Sequence, residues 1–351
     1  MRKHYGNYLP LFVVLPVIGL VGCGGSSSDG TTAGSRTVGV VKAVTPTSVT
    51  VGSVTFDTSS ASVSGDVSSG SMSEIDPGMV VVVDGSVDDA TNQGVARHVD
   101  YDSEVEGEVI SNDCAGTLPC SMDVMGQTIQ VTDTTRFKSE IPGVDSVDLI
   151  MPGAYVEVSG YSDDNGAIVA TYIKLEDDHM EAHYEMEVEG MVTNLDIAAG
   201  TFEIGGQLIH FDANSINLTL EEGMKIECHL VDDGMGNMVA VEIELEDEYG
   251  DDSSEGDELE IEGMVTSEGV AADGTFAING QTVKLADNVK YEAGMTQDSI
   301  VNGAIIEIEG YLDENGMLIV TEAGTEDDGA DDGNGSGSSD NVGETMPAPV
   351  V

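Results

Sequence analysis

A short block recurs four times along this chain, and a chain assembled from copies folds as small units that stack on one another or share edges. It reads Glu104-Val105-Glu106-Gly107-Glu108-Val109, Glu187-Val188-Glu189-Gly190-Met191-Val192 and Glu260-Ile261-Glu262-Gly263-Met264-Val265, with a looser copy at Thr37-Val38-Gly39-Val40-Val41. A second block follows each of them, as in Gly78-Met79-Val80-Val81-Val82-Val83, Gly153-Ala154-Tyr155-Val156-Glu157-Val158, Gly223-Met224-Lys225-Ile226-Glu227-Cys228 and Gly303-Ala304-Ile305-Ile306-Glu307-Ile308. The period defines four repeats, at 37–102, 104–178, 186–247 and 259–323.

Between the two blocks lies a hairpin with two-residue turn chemistry. Thr201-Phe202-Glu203-Ile204 and Gln207-Leu208-Ile209-His210 flank Gly205-Gly206, and Thr275-Phe276-Ala277-Ile278 and Gln281-Thr282-Val283-Lys284 flank Asn279-Gly280. Such dipeptides between alternating apolar residues signal hairpins, because the primed turns need positive φ. A second hairpin turns through acidic loops such as Asp163-Asp164-Asn165-Gly166 and Asp313-Glu314-Asn315-Gly316. Each repeat therefore holds about five strands, too few to cover both faces of an open sheet, and closing them into a ring removes the exposed edges. The expected class is all-β: four tandem small five-stranded OB-like barrels. Val156, Val158, Ile168 and Ile173 should point inward, and Glu157, Thr171 and Lys174 outward.

The pattern Glu-x-Glu-Gly-x-Val, then Gly-Gln-Thr-Val, then Val156-Glu157-Val158-Ser159-Gly160-Tyr161-Ser162-Asp163 and Ala170-Thr171-Tyr172-Ile173-Lys174-Leu175-Glu176, resembles the tandem bacterial domain-of-unknown-function family 5666. The likeness runs from Thr37 to Glu322. It implies the repeat architecture and a place in the envelope, and it brings no activity or catalytic residues with it.

The N-terminus points to the same compartment. Arg2 and Lys3 precede an apolar run that ends in Leu20-Val21-Gly22-Cys23, followed by Gly24-Gly25-Ser26-Ser27-Ser28. This is the form of a lipoprotein signal, with residues 1–22 removed and Cys23 carrying lipid. Pro10 and Pro16 interrupt a run already short for a membrane span. Residues 23–36 read as a flexible tether, 248–258 as an acidic linker and 324–351 as a disordered acidic tail. Gly24 rather than Asp after the cysteine favours the outer membrane over the inner one.

Eleven Lys and Arg against 66 Asp and Glu leave a net charge of −55. Phosphate-backbone affinity comes from cations that displace counterions, so the expected partners are the membrane and an envelope protein or glycan, with nucleic acid excluded. Self-repulsion on this scale weakens compact states, and salt or divalent cations should relieve it. The thermal midpoint is expected to rise from chelator to sodium chloride to millimolar calcium, and equal midpoints in the three would refute this.

Cys114 and Cys120 flank a Gly/Pro-containing turn, which suits a disulfide in an oxidising compartment. Cys228 falls where other repeats carry Val83, Val158 and Ile308, and is expected as a small buried hydrophobe. The acidic turns invite Ca2+, yet none has the twelve-residue loop of a dedicated site, so capping of tight turns is the expected role. His179, His183 and Met186 form the one segment where soft and imidazole donors crowd together; on a helix they would share a face suited to copper or zinc. His98, His210 and His229 each stand alone in strand patterns. No nucleophile elbow, metalloprotease helix or phosphate loop is present, and the function expected is a non-catalytic binding or structural module, with a cation-dependent adhesin as the alternative.

Overall fold

In repeat 2 the strand Val105–Asn112 pairs with Cys120–Val124, which pairs with Gln127–Ser139. That third strand runs parallel to the fifth, Ile168–Leu175; the fifth is antiparallel to the fourth, Tyr155–Ser162, and the fourth returns to the first. The ring is closed, as the shortage of covering surface requires. Repeat 1 closes in the same order through Thr31–Thr45, Ser48–Val51, Val54–Asp57, Gln93–Tyr101 and Val80–Asp88. Its first strand begins within the segment expected to be tether. Repeats 3 and 4 keep the parallel join of third strand to fifth, with Ile209 opposite Met238 and Lys284 opposite Ile319. The computed structural model describes residues 31–325 apart from 66–69, 89, 102, 164–165, 177–185, 213–217, 246–257 and 293. The expected linker and tail, like Cys23, His179 and His183, lie almost wholly or wholly outside the described residues.

Local chemistry sets the hairpins where the sequence placed them. Gly205 and Gly206 have φ of 59° and 103°, and Asn279 and Gly280 have 52° and 81°, as primed turns require. The acidic turns are capped by their own side chains. Asp313 Oδ1 accepts from the backbone N–H of Asn315 and Met317, at 2.8 and 3.0 Å, and Asp163 Oδ1 accepts from that of Ala167 at 2.9 Å. Each long hairpin carries a register shift, at Asp84/Gly85, Ser159/Gly160, His229/Leu230 and Glu309/Gly310. Glycine is required at three of these by close approach: a Cβ on Gly85, Gly160 or Gly310 would run into the carbonyl oxygen of Val95, Val169 or Ile319 respectively.

The repeats do not follow one another like beads. The first strands of repeats 2 and 3 pair antiparallel, Val105 opposite Val188 and Glu106 opposite Glu187, which makes one eleven-stranded sheet of the two repeats. The first strands of repeats 1 and 4 pair in parallel, from Ser35 opposite Glu258 to Val38 opposite Ile261, which makes the other. Repeats 2 and 3 consequently share one core, running from Val105 to Ala240, whereas repeats 1 and 4 each keep their own. Cys228 is buried in the shared core.

Repeat 2 also packs on repeats 1 and 4. Ser159 Oγ accepts the Val80 N–H at 2.8 Å, Tyr172 donates to Asp76 at 2.8 Å, and Tyr161 donates to the Glu262 carbonyl at 3.2 Å. Val156, Val158, Ile168 and Ile173 point inward and are fully buried, as alternation implies. Glu157 is a correction: expected outward in water, it is buried, because other repeats cover the outer face of the strand Tyr155–Ser162. Alternation separates two faces of a strand and says nothing about what lies against the second.

Candidate functional site

The repeated Glu-x-Glu-Gly strands are the ones that join the repeats, so their glutamates gather at the two junctions. At the junction of repeats 2 and 3 the register aligns Lys174, Glu157, Glu106, Glu187, His229 and Glu242 in one row across six strands. Directly opposed like charges repel, and burial withdraws the water that would screen them. Burial above all, with Glu157 and Glu176 beside it, pushes the Glu106 carboxyl up to about 8. It therefore stays protonated at neutral pH. Lys174 answers part of the charge, 3.2 Å from Glu157 and 2.5 Å from Glu176. Burial alone would pull the Lys174 ammonium down, yet these two carboxylates more than reverse that and hold it above the ordinary lysine range. Lys225 pairs with Glu189.

In the same row His229 is not alone. Its Nε2 is 2.9 Å from Glu227 Oε1 and its Nδ1 is 3.8 Å from Glu187 Oε2. Sequence reasoning missed this because Glu187 is distant along the chain and meets His229 only by cross-strand register. The signal available was the Glu-Cys-His alternation, which sets Glu227 and His229 on one face and Cys228 on the other.

The junction of repeats 1 and 4 is built alike. Thr37 donates to Glu260 at 3.2 Å, Lys42 lies 3.6 Å from Glu262, and Arg36 grips Asp84 through two contacts of 2.7 and 3.1 Å. Burial first, then Glu307 and Glu309, push Glu260 up to about 9. Beside it opens a cleft of about 330 Å³ lined by Ser35, Asn92, Glu260, Glu309, Tyr311 and Thr321. The cleft exists only because the two repeats meet there.

Of the other residues singled out from sequence, Cys114 and Cys120 are joined in a disulfide with Cα atoms 5.1 Å apart. Met186 lies in the strand Met186–Met191, opposite Leu230 and half-buried against the shared core. His98 sits between two serines, Ser62 Oγ 2.8 Å from Nδ1 and Ser64 Oγ 2.9 Å from Nε2. Ser64 gives its only proton to Asp100, so His98 Nε2 is the donor at that contact. An activated nucleophile needs the reverse at Ser64, while the same tautomer leaves Nδ1 as the acceptor facing Ser62 Oγ.

No curated relative matches the chain. Solved structures similar to it include the following two. The one described as Drosophila Unr CSD456 is 15% identical with a TM-score of 0.16, covering 63% of this chain and 97% of that one. The other, a multidomain protein with nucleic acid binding domains from Streptococcus pneumoniae, is 12% identical with a TM-score of 0.17, covering 62% of this chain and 71% of that one. Scores this low carry no ligand over to this protein. The exclusion of nucleic acid is nevertheless corrected, since a protein described as having nucleic acid binding domains stands among the similar structures. Net charge sums over the whole chain, whereas single-strand recognition uses one local face with stacking groups and a few cations. The model of a family described as a domain of unknown function, DUF5666, matches residues 38–100, 109–174, 189–244 and 262–322, and the chain belongs to that family.

Proposed function

We propose that this protein is a lipid-anchored, non-catalytic module of the bacterial cell envelope, held at the outer membrane through Cys23, that serves as a binding or structural element. The observation that carries the reading is the sequence Leu20-Val21-Gly22-Cys23 with its Gly/Ser continuation, set ahead of a body of four joined repeats. One acyl-modified cysteine with several chains gives membrane affinity in proportion to its buried methylenes. A tether then lets the acidic body project into water. The cleft where repeats 1 and 4 meet is the concave, mixed polar and apolar surface on which a ligand would sit.

Metabolic labelling with a clickable fatty-acid analogue tests the anchor. Wild-type protein is expected to carry label and sediment with membranes, and Cys23→Ser to lose both. An unlabelled, freely soluble wild-type protein would overturn the proposal.

A further inference from the structure

We propose that Glu187, Glu227 and His229 form a binding site for a divalent transition-metal cation of the zinc type, at the junction of repeats 2 and 3. One carboxylate oxygen from each glutamate and one imidazole nitrogen lie within 4.8 Å of one another. Zinc sets its ligands at about 2.0–2.2 Å, which puts tetrahedral donors about 3.5 Å apart, so the trio draws in by about an ångström on closing around an ion.

The donor set selects the cation. An imidazole beside two carboxylates suits zinc and its neighbours, whereas calcium takes oxygen donors throughout. The thiol of Cys228, between two of the ligands in sequence, is buried in the core on the opposite face of the strand and stays out of the donor set. Three protein ligands leave a fourth position for water.

The fold supplies rigidity and a reason for the ion. Glu187 and His229 sit opposite each other on paired strands, and Glu227 lies two residues before His229 on the same face. The Glu187 side chain is 1% exposed, and its other cross-strand neighbour is Glu106. A dication in this place neutralises a buried row of carboxylates and ties the first strand of repeat 3 to its fourth.

Titration of the full chain with Zn2+ by calorimetry, and with Co2+ by visible absorption, tests the site. The chain also holds the pair His179 and His183, so the reference is the protein carrying His179→Ala and His183→Ala. In that background one saturable Zn2+ per chain and a Co2+ spectrum with a nitrogen ligand are expected. Affinity should fall at least about tenfold in His229→Ala and likewise in the isosteric Glu227→Gln, each checked for an unchanged circular dichroism spectrum. Should His229→Ala prove unfolded, Glu227→Gln alone decides, because its side chain is partly exposed and keeps its shape. Absence of saturable binding in the reference protein would overturn the proposal, as would unchanged affinity in Glu227→Gln.

Discussion

Raising the pH from about 5 to about 9 is expected to lower the melting temperature of this protein, against the habit of acidic proteins that unfold at low pH. Glu106 holds its proton to about 8 and Glu260 to about 9 in the folded chain, against a value of 4.5 for a free glutamate. Above 4.5 the unfolded chain releases these protons while the folded one keeps them. The unfolded state then binds fewer protons, so stability falls as pH rises through that window and levels off once both carboxyls ionise in the fold. Each group is deeply covered at a repeat junction, and the loss is on the order of 5 kcal/mol per group.

On the acid side the slope reverses. Asp233 is held below the usual range first by Asn237 and then by the Met235 N–H, and Asp313 by the N–H groups of Met317 and Asn315. Their contribution is present above 3.8 and is lost as they protonate. The stability maximum therefore falls between about pH 4 and 5. Glu106→Gln and Glu260→Gln keep the shape and remove the ionisation, so each variant should melt several degrees above wild type at pH 9 and close to it at pH 5. A melting temperature independent of pH between these limits would refute the account.

The second large effect concerns the shared core. Phe202 is fully buried, its ring 5.5 Å from that of Phe211, within the core common to repeats 2 and 3. Phe202→Ala is expected to cost about 3–5 kcal/mol through lost transfer energy and the cavity left behind. Because Val105 and Val188 pack across one junction, the damage should reach beyond repeat 3. Hydrogen exchange should accelerate in the strands Val105–Asn112 and Cys120–Val124 of repeat 2 as well as in Thr201–Ile204. Phe276→Ala, in the core of repeat 4 alone, should leave the repeat 2 strands protected. Unchanged exchange in repeat 2 on truncating Phe202 would show that the two repeats unfold separately.

Both predictions rest on junctions that the sequence left undrawn. The hairpins at Gly205-Gly206 and Asn279-Gly280 were legible because positive φ is a demand on two adjacent residues. The same holds for the Asp313 cap and for Cys228, whose aligned position among Val83, Val158 and Ile308 announces a core residue. The closed five-strand ring followed from strand count and the cost of open edges. Glu157 and His229 were misread together, one as solvated and the other as isolated, since both judgements treat a repeat as standing alone.

The sequence by itself determined the repeats, their strands, their turns and the family they belong to, because each is settled by contacts within one repeat. Only the tertiary structure decided that repeat 1 joins repeat 4 and repeat 2 joins repeat 3. Four near-copies present near-identical edges, so which two edges meet depends on the packing of whole repeats. That choice converts the glutamates of a repeated strand from apparent surface residues into buried, proton-holding neighbours.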